Sequence, residues 1–452
     1  MRIIRGLQDG MVMQRGFDDT CDIIIELNCA GVPQTTAGQL EPLGQGRYRL
    51  RGIPVGRPYK LELADDSASV QLSGLYVGDV WMLAGQSNME GAGKMRPEHL
   101  DYEKAPVQSV RAFYMNEKWD VARPQLHQLW ASADRFIAEF WRNARANSPW
   151  GSPEPPAVER SGVGPGLYFA LEMRQRQGVP QGLIPCGIGG SCLAQWQPGA
   201  ADNYYSAMLR RFNETGSHIR GVFWYQGEGE TGYAASELFI GRMQTLVAAM
   251  RSDFASQELP FVQVQINRYA AADPRSDPYW IKIRELQRNL ADRIPFLETV
   301  FSVDCGLDDL IHLSSEAQQQ IGARAAEAMD WLCGGNGLPS PALDKIWIEP
   351  DEYTPFYNNI IVRYRNLHGD LLANGVPSGF FITKTADSQP ERAISKIELR
   401  GNLVCVKTEL SRDLLREYCL FYAFGNIFYC NITDSAGRSI PAMGPIKIGA
   451  GR

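Results

Sequence analysis

Residues 80–93 read VWMLAGQSNMEGAG. An apolar run from Val80 to Ala84 breaks at Gly85 into glutamine, serine and asparagine, and glycine returns at 91 and 93. A buried strand that ends this abruptly presents one hydroxyl, that of Ser87, at its tip. A serine by itself does no chemistry near neutral pH, so the reading depends on whether the chain supplies a base and an acid partner.

Outward from this stretch the pattern is regular. Between residues 76 and 335, apolar strand candidates (VGDVWMLAG, VRAFYM, GLIPCGIGG, IRGVFWYQG, LPFVQVQIN and ETVFSVDCG) alternate with helix candidates at 165–177, 203–213, 235–252, 279–292 and 315–333. Such alternation predicts a parallel sheet with helices on both faces, and functional groups at the C-terminal ends of its strands. For the last helix, Ser315 and Gln318 suit a capping box, Ile321, Ala325, Ala328, Met329 and Leu332 share a face, and Gly334 and Gly335 stop it. Residues 115–160 read as irregular, a cover for the site or surface packing. Residues 1–75 (CDIIIEL, GRYRLRGI, YKLELA, ASVQLSG) alternate like a small β-sandwich, and 336–452 return to strand patterns. The expected division is therefore 1–75, 76–335 and 336–452.

Five histidines are available as a base: 99, 127, 218, 312 and 368. His312 stands in DCGLDDLIHLSSEAQ, between a strand and the last helix, and Asp309 precedes it by three residues. An Asp-x-x-His turn lets the carboxylate meet one ring nitrogen and leaves the other for a nucleophile. Asp308 is the fallback acid. Oxyanion donors are offered at two further strand ends: the glycine N–H groups of IGGSCLAQW (188–196) and the Gln226 carboxamide of WYQGEGE (224–230). Gln86 and Asn88 are expected to hold the Ser87 turn by side-chain hydrogen bonds. Glu228 is expected to brace the Gln226 loop. Trp196 is open to two readings, a stacking face for a sugar or plain packing.

Composition narrows the class. The 452 residues are 44% hydrophobic and 21% charged, with a formal net charge of −6. Without a Lys/Arg block, neither a nucleic acid nor an anionic membrane is an expected partner. No stretch has the apolar length of a membrane span. The opening MRIIRGLQDGMVMQR lacks the apolar core of a signal peptide, so the expectation is a cytoplasmic chain or a mature exported form. Nine cysteines form no C-x-x-C pair and no Cys/His spacing suited to zinc, so they are expected as reduced, small apolar residues. Oligomeric state is not legible.

The blocks GQSNM (85–89), IGGS (188–191), WYQGE (224–228) and DxxH (309–312) stand in the order found in SGNH hydrolases. More narrowly, the chain resembles the sialate O-acetylesterase and acetylxylan esterase group of carbohydrate esterases. DGMVMQR (9–15), YVGDVWMLAGQSNMEG (76–91) and GNIFYCNITDSAGRSIPA (425–442) extend the likeness over nearly the whole length. The resemblance implies an SGNH, flavodoxin-like α/β sheet flanked by N- and C-terminal β domains. It implies Ser87 as nucleophile, His312 as base and Asp309 as orienting acid. The Ser87 N–H, the Gly189 or Gly190 N–H and Gln226 would form the oxyanion hole, with glutamine standing where other SGNH hydrolases use asparagine. The implied substrate is an acetylated carbohydrate, with no metal or organic cofactor. The chain departs from the family at GEGETG (227–232), where Ser and then Asn or Asp usually follow QGE. Competing readings are an esterase on non-sugar short-chain esters and a catalytically silent carbohydrate-binding protein. A glycosidase pair at Glu228 and Glu230 is disfavoured, because a spacing of two on one loop does not set carboxylates across a sugar.

Overall fold

The computed structural model describes residues 1–146, 161–271, 273–354, 356–426 and 428–449. Residues 147–160 of the stretch expected to be irregular, and Ile427 in the closing strand candidate, lie outside them. The chain forms two compact units: Met1–Trp224 with Arg242–Phe261 and Gln318–Ala326, and Tyr225–Gly241 with Val262–Ala317 and Glu327–Arg452.

In the first unit, the amino-terminal strands make a four-stranded antiparallel sheet, ordered Arg2–Arg5, Thr20–Asn28, Arg47–Pro54, Gln39–Gly44. Cys21, Ile23, Ile25 and Leu27 are buried at every second position, as a strand with one covered face requires. Five further strands carry the mixed α/β part: β1 (Ser69–Gly85), β2 (Val110–Phe113), β3 (Trp119–Val121), β4 (Gln181–Pro185) and β5 (Gly221–Tyr225). Their order is β3-β2-β4-β1-β5, and β4 runs parallel to both β2 and β1.

β1 positions the site. Its 17 residues begin as the antiparallel partner of Gly56–Ala64 and continue as the parallel partner of Val12–Gln14 and then β4. Burial changes with the neighbours: exposed positions recur up to Ser73, and every residue from Leu75 to Gly85 is buried. A continuous apolar run is what a strand covered on both faces demands. The boundary expected at 75/76 thus falls inside one strand. Pro180 explains the glycine at 78, where a Cβ would lie 2.0 Å from the Pro180 carbonyl oxygen. Trp81 fixes β1 against β4 by donating its indole N–H to Gln181 Oε1 at 2.6 Å.

Helices occur at Gly166–Gln177, Tyr204–Glu214, Tyr233–Asp253, Asp277–Arg288 and Ser315–Leu332, close to the expected ranges. The capping box expected at Ser315 is replaced by a cap one residue earlier: Ser314 accepts from Ala317 N, which frees Gln318 for another task. The stretch read as irregular contains a helix, Arg135–Ala146, whose buried Ile137, Ala138 and Trp141 make a short apolar stripe.

In the second unit, an antiparallel sheet ordered Ala342–Pro350, Asn358–Arg365, Leu403–Thr408, Ile394–Arg400 and a three-stranded sheet, Phe380–Thr383, Cys419–Tyr422, Met443–Lys447, share a core. Ile360, Val362, Tyr364, Val404, Leu420 and Tyr422 fill it. Two polar clasps join these strands to the part expected as hydrolase core. Gln265 donates Nε2–H to the Ala442 carbonyl at 2.9 Å, and its Oε1 accepts from Ala442 N at 3.0 Å. The buried Arg284 guanidinium donates to the carbonyls of Asn267, Ala423 and Gly425. Residues on either side of 335/336 therefore belong to one compact body.

Candidate active site

Ser87 begins a one-turn helix, Ser87–Glu90, directly beyond β1. The first N–H groups of a helix have no carbonyl within their own turn, so the Ser87 amide is a donor by position. Ser87 is half-buried at the surface, whereas Asn88 and Met89 are buried beneath it. The turn is held by backbone: the Gln86 carbonyl accepts from Met89 N at 2.9 Å and Glu90 N at 2.8 Å. The Gln86 side chain does not cap this helix. Asn88 Oδ1 accepts from the freed Gln318 Nε2 at 3.4 Å.

The IGGS loop is clipped to the end of β1. Cys186 N donates to Leu83 O at 2.7 Å and Ile188 N to Gly85 O at 3.0 Å. Gly189 and Gly190 then separate as candidates. Gly189 N donates to Glu90 Oε2 at 2.6 Å, so the amide expected as an alternative oxyanion donor is already engaged. A Cβ on Gly189 would sit 2.7 Å from that carboxylate oxygen and 3.6 Å from Ser87 Cβ. Gly190, at φ +70°, is exposed with nothing within 4 Å of a Cβ position. Glu90 was not singled out in the sequence. Its signal was its place one turn after Gln86, on the face of the helix that carries Ser87.

Trp196 is 0% exposed. Its indole N–H donates to Ser191 Oγ at 3.0 Å, and its ring packs edge-on against Trp224 and beside Tyr204. No face remains for a sugar, so the packing reading replaces the stacking one. His127 is buried behind the same turn; a Cβ on Gly187 would lie 3.0 Å from Glu90 N and 3.2 Å from His127 Nε2. Burial pushes the His127 imidazole down to about 3, so it is neutral packing near neutrality.

In the second unit, residues 306–314 close on themselves. Asp308 N donates to His312 O at 2.9 Å and Ser314 N to Gly306 O at 3.0 Å, while Ala270 N holds Leu310 O at 2.7 Å. His312 Nδ1 meets Asp309 Oδ2 at 2.7 Å, and Asp309 Oδ1 accepts from Ile311 N at 2.8 Å and His312 N at 2.7 Å. The side chains are 24% and 51% exposed, respectively. Partial burial disfavours the Asp309 charge. The bonds from the His312 ring and from two backbone N–H groups outweigh it and hold the carboxyl below the usual carboxylate range. An ionised Asp309 on Nδ1 fixes the tautomer that leaves Nε2 as the basic nitrogen. Asp308 contributes its backbone here, and the carboxylate on the ring is that of Asp309. The other histidines have local tasks: His99 Nδ1 accepts from Arg96 N, His218 Nδ1 bonds the Asp22 carbonyl, and His368 Nε2 pairs with Glu327.

Gln226 is fully buried, and its Nε2 donates to Glu230 Oε1 at 3.2 Å. Glu230 thus braces the Gln226 side chain. Glu228 starts the short turn Glu228–Glu230, and its carbonyl accepts from Thr231 Oγ1 at 2.8 Å. Gln287, from helix Asp277–Arg288, donates to Gln226 O at 3.0 Å and accepts from Ile266 N at 2.9 Å. Among the described residues, no cluster of three or more His, Cys, Asp or Glu is placed to hold a metal ion, and no helix is long and apolar enough to cross a membrane.

The profile of a family described as carbohydrate esterase, sialic acid-specific acetylesterase, matches residues 77–330, more than half of the 452. A probable carbohydrate esterase of Arabidopsis thaliana is 28% identical over 285 residues, covering 58% of this chain and 94% of that protein. A solved structure of a carbohydrate acetylesterase from Xanthomonas citri superposes with a TM-score of 0.71 at 20% identity, over 98% of both chains, a likeness of fold. The mixed α/β architecture with additional β regions is thus shared along the full length. With its strand-end serine, glycine loop and Asp–His turn in the matched segment, the chain belongs to the sialic acid-specific acetylesterase family of carbohydrate esterases.

Proposed function

We propose that the protein is a serine esterase of SGNH type that removes O-linked acetyl groups from a carbohydrate. Ser87 Oγ attacks the ester carbonyl carbon while His312 Nε2 takes its proton. The tetrahedral oxyanion is held by the Ser87 and Gly190 N–H groups and the Gln226 carboxamide. The carbon–oxygen bond to the sugar breaks, and the sugar hydroxyl leaves with the proton from His312. Water then gives its proton to His312 and attacks the acetyl-enzyme, releasing acetate and restoring Ser87. Asp309 stays ionised and keeps the ring in register.

The observation that carries this reading is the 2.7 Å bond from the His312 ring to a carboxylate that is itself held by two backbone amides. His368 also pairs with a carboxylate, but through Nε2, whereas His312 does so through Nδ1, which leaves Nε2 for a nucleophile. Membership of a carbohydrate esterase family supports a carbohydrate ester as the substrate.

The test is acetate release from a panel of O-acetylated sugars, sialic acid and xylan fragments included, with Ser87→Ala beside the wild type. Turnover of an acetylated sugar that is lost in Ser87→Ala supports the proposal. Preference for longer acyl chains on non-sugar alcohols would replace the carbohydrate reading with a general esterase. Sugar binding without hydrolysis would replace it with a binding protein.

A further inference from the structure

We infer that Glu230 is a positioning residue that decides which end of the Gln226 side chain faces the reacting ester. The inference rests on the reading of Gln226 as an oxyanion donor. The two ends of a carboxamide are nearly equal in size, so packing alone does not choose between them. A carboxylate does, because it accepts hydrogen bonds and cannot donate them. Glu230 Oε1 receives the Gln226 Nε2–H at 3.2 Å, and both residues are buried.

The backbone that carries both groups is held independently. Glu230 N donates to Gly227 O at 3.0 Å, closing the turn between them. Gln287 bridges Gln226 O and Ile266 N from behind. Gly227 makes room for that bridge: a Cβ there would lie 2.7 Å from Gln287 Nε2 and 2.8 Å from Ile266 Cγ2. With the main chain fixed, the remaining freedom is rotation of the amide about its last bond, and Glu230 removes it. Nε2 carries two hydrogens. One goes to Glu230, and the second is kept for an oxygen that becomes negative. Gln226 Oε1 is buried without a hydrogen-bond partner among the described residues. Turning the amide over would present that carbonyl oxygen to the oxyanion, so a flip exchanges attraction for repulsion and costs more than a missing donor.

The departure of GEGETG from the family pattern acquires a purpose on this account. An acid four residues after Gln226 reaches back along one turn to its carboxamide.

The experiment is a double-mutant cycle read by aryl acetate hydrolysis, with kcat and KM measured separately for wild type, Gln226→Ala, Glu230→Gln and the double variant. Loss of an oxyanion donor lowers kcat by about 10²-fold. Glu230→Gln, similar in shape but able to donate, is expected to lower kcat by about 10- to 100-fold with KM little changed, and to add nothing further in the Gln226→Ala background. Equal losses in both backgrounds would overturn the inference, because Glu230 would then act independently of Gln226. If Glu230→Gln does not yield folded protein, Glu230→Asp is put through the same cycle. A Gln226→Ala variant with unchanged kcat, alongside an inactive Ser87→Ala, would instead reject the donor role of Gln226 and the inference with it. An active Ser87→Ala would reject the serine mechanism itself.

Discussion

Around Ser87 the chain is anchored from below. β1 is buried from Leu75 to Gly85, the IGGS loop hangs from its last carbonyls, and Trp196, Trp224 and His127 fill the space behind. Around His312 the chain is anchored mostly to itself, with one bond from Ala270 N to the Leu310 carbonyl. A nine-residue loop closes through two backbone bonds, and its Asp309–His312 pair is oriented by amides from the same turn. The first arrangement draws its rigidity from packing, so stability there rests on the residues behind Ser87. The second draws it from local hydrogen bonds on a half-exposed turn, so function there can be lost at little cost to folding.

Substitutions can break that contrast, and the largest effect is expected at its most exposed point in the packed region. Ser87→Ala should lower esterase kcat by roughly 10⁴-fold or more while Tm stays within about 2 °C, because the clamp around the turn is backbone. A large fall in Tm would mean that the hydroxyl itself holds the turn. Trp196→Ala should destabilise the protein by about 3–5 kcal/mol in urea unfolding through the cavity it leaves. A stable Trp196→Ala that had lost only sugar affinity would restore the stacking role. On the other side, Asp309→Asn should cost about 10²–10³ in kcat and less than about 1 kcal/mol in stability, since half-exposed surroundings let water replace part of the lost charge. Equal damage to both quantities would erase the distinction between the two regions.

The smallest expected effect sharpens the comparison through pH. His127 titrates near 3 in the folded protein and near 6.5 unfolded. Below about pH 6.5 the unfolded chain takes up a proton that the folded chain refuses. Stability is therefore full above that value and falls as the solution is acidified, by about 2 kcal/mol at pH 5. His127→Gln should flatten the pH dependence of the urea midpoint between pH 7 and 5 by that amount; an unchanged slope would place the sensitivity elsewhere.

Much of this was legible from residue order. Helix ranges followed from apolar periodicity, and the Asp309–His312 bond from a spacing that closes one turn. What stayed hidden depended on neighbours far along the chain. The long strand β1 was split at 75/76 because its pattern changes from alternating to continuous there, and a change of partner looks like a change of domain. The engagement of Gly189 could not be read from IGGS, since its acceptor lies 99 residues earlier in Glu90. Trp196 was ambiguous because an aromatic after a glycine loop has the same composition whether it faces ligand or core. The Glu230 contact with Gln226 was not anticipated, because it depends on the tight turn at Gly227 that brings the acid round to the amide.

The paired bonds between the Gln265 carboxamide and the two backbone groups of Ala442 have a consequence for how such chains can be recombined. The final segment is not an interchangeable cassette. A tail borrowed from a relative must offer an amide and a carbonyl at the height of residue 442, or a glutamine in the dry interior is left with both ends unanswered.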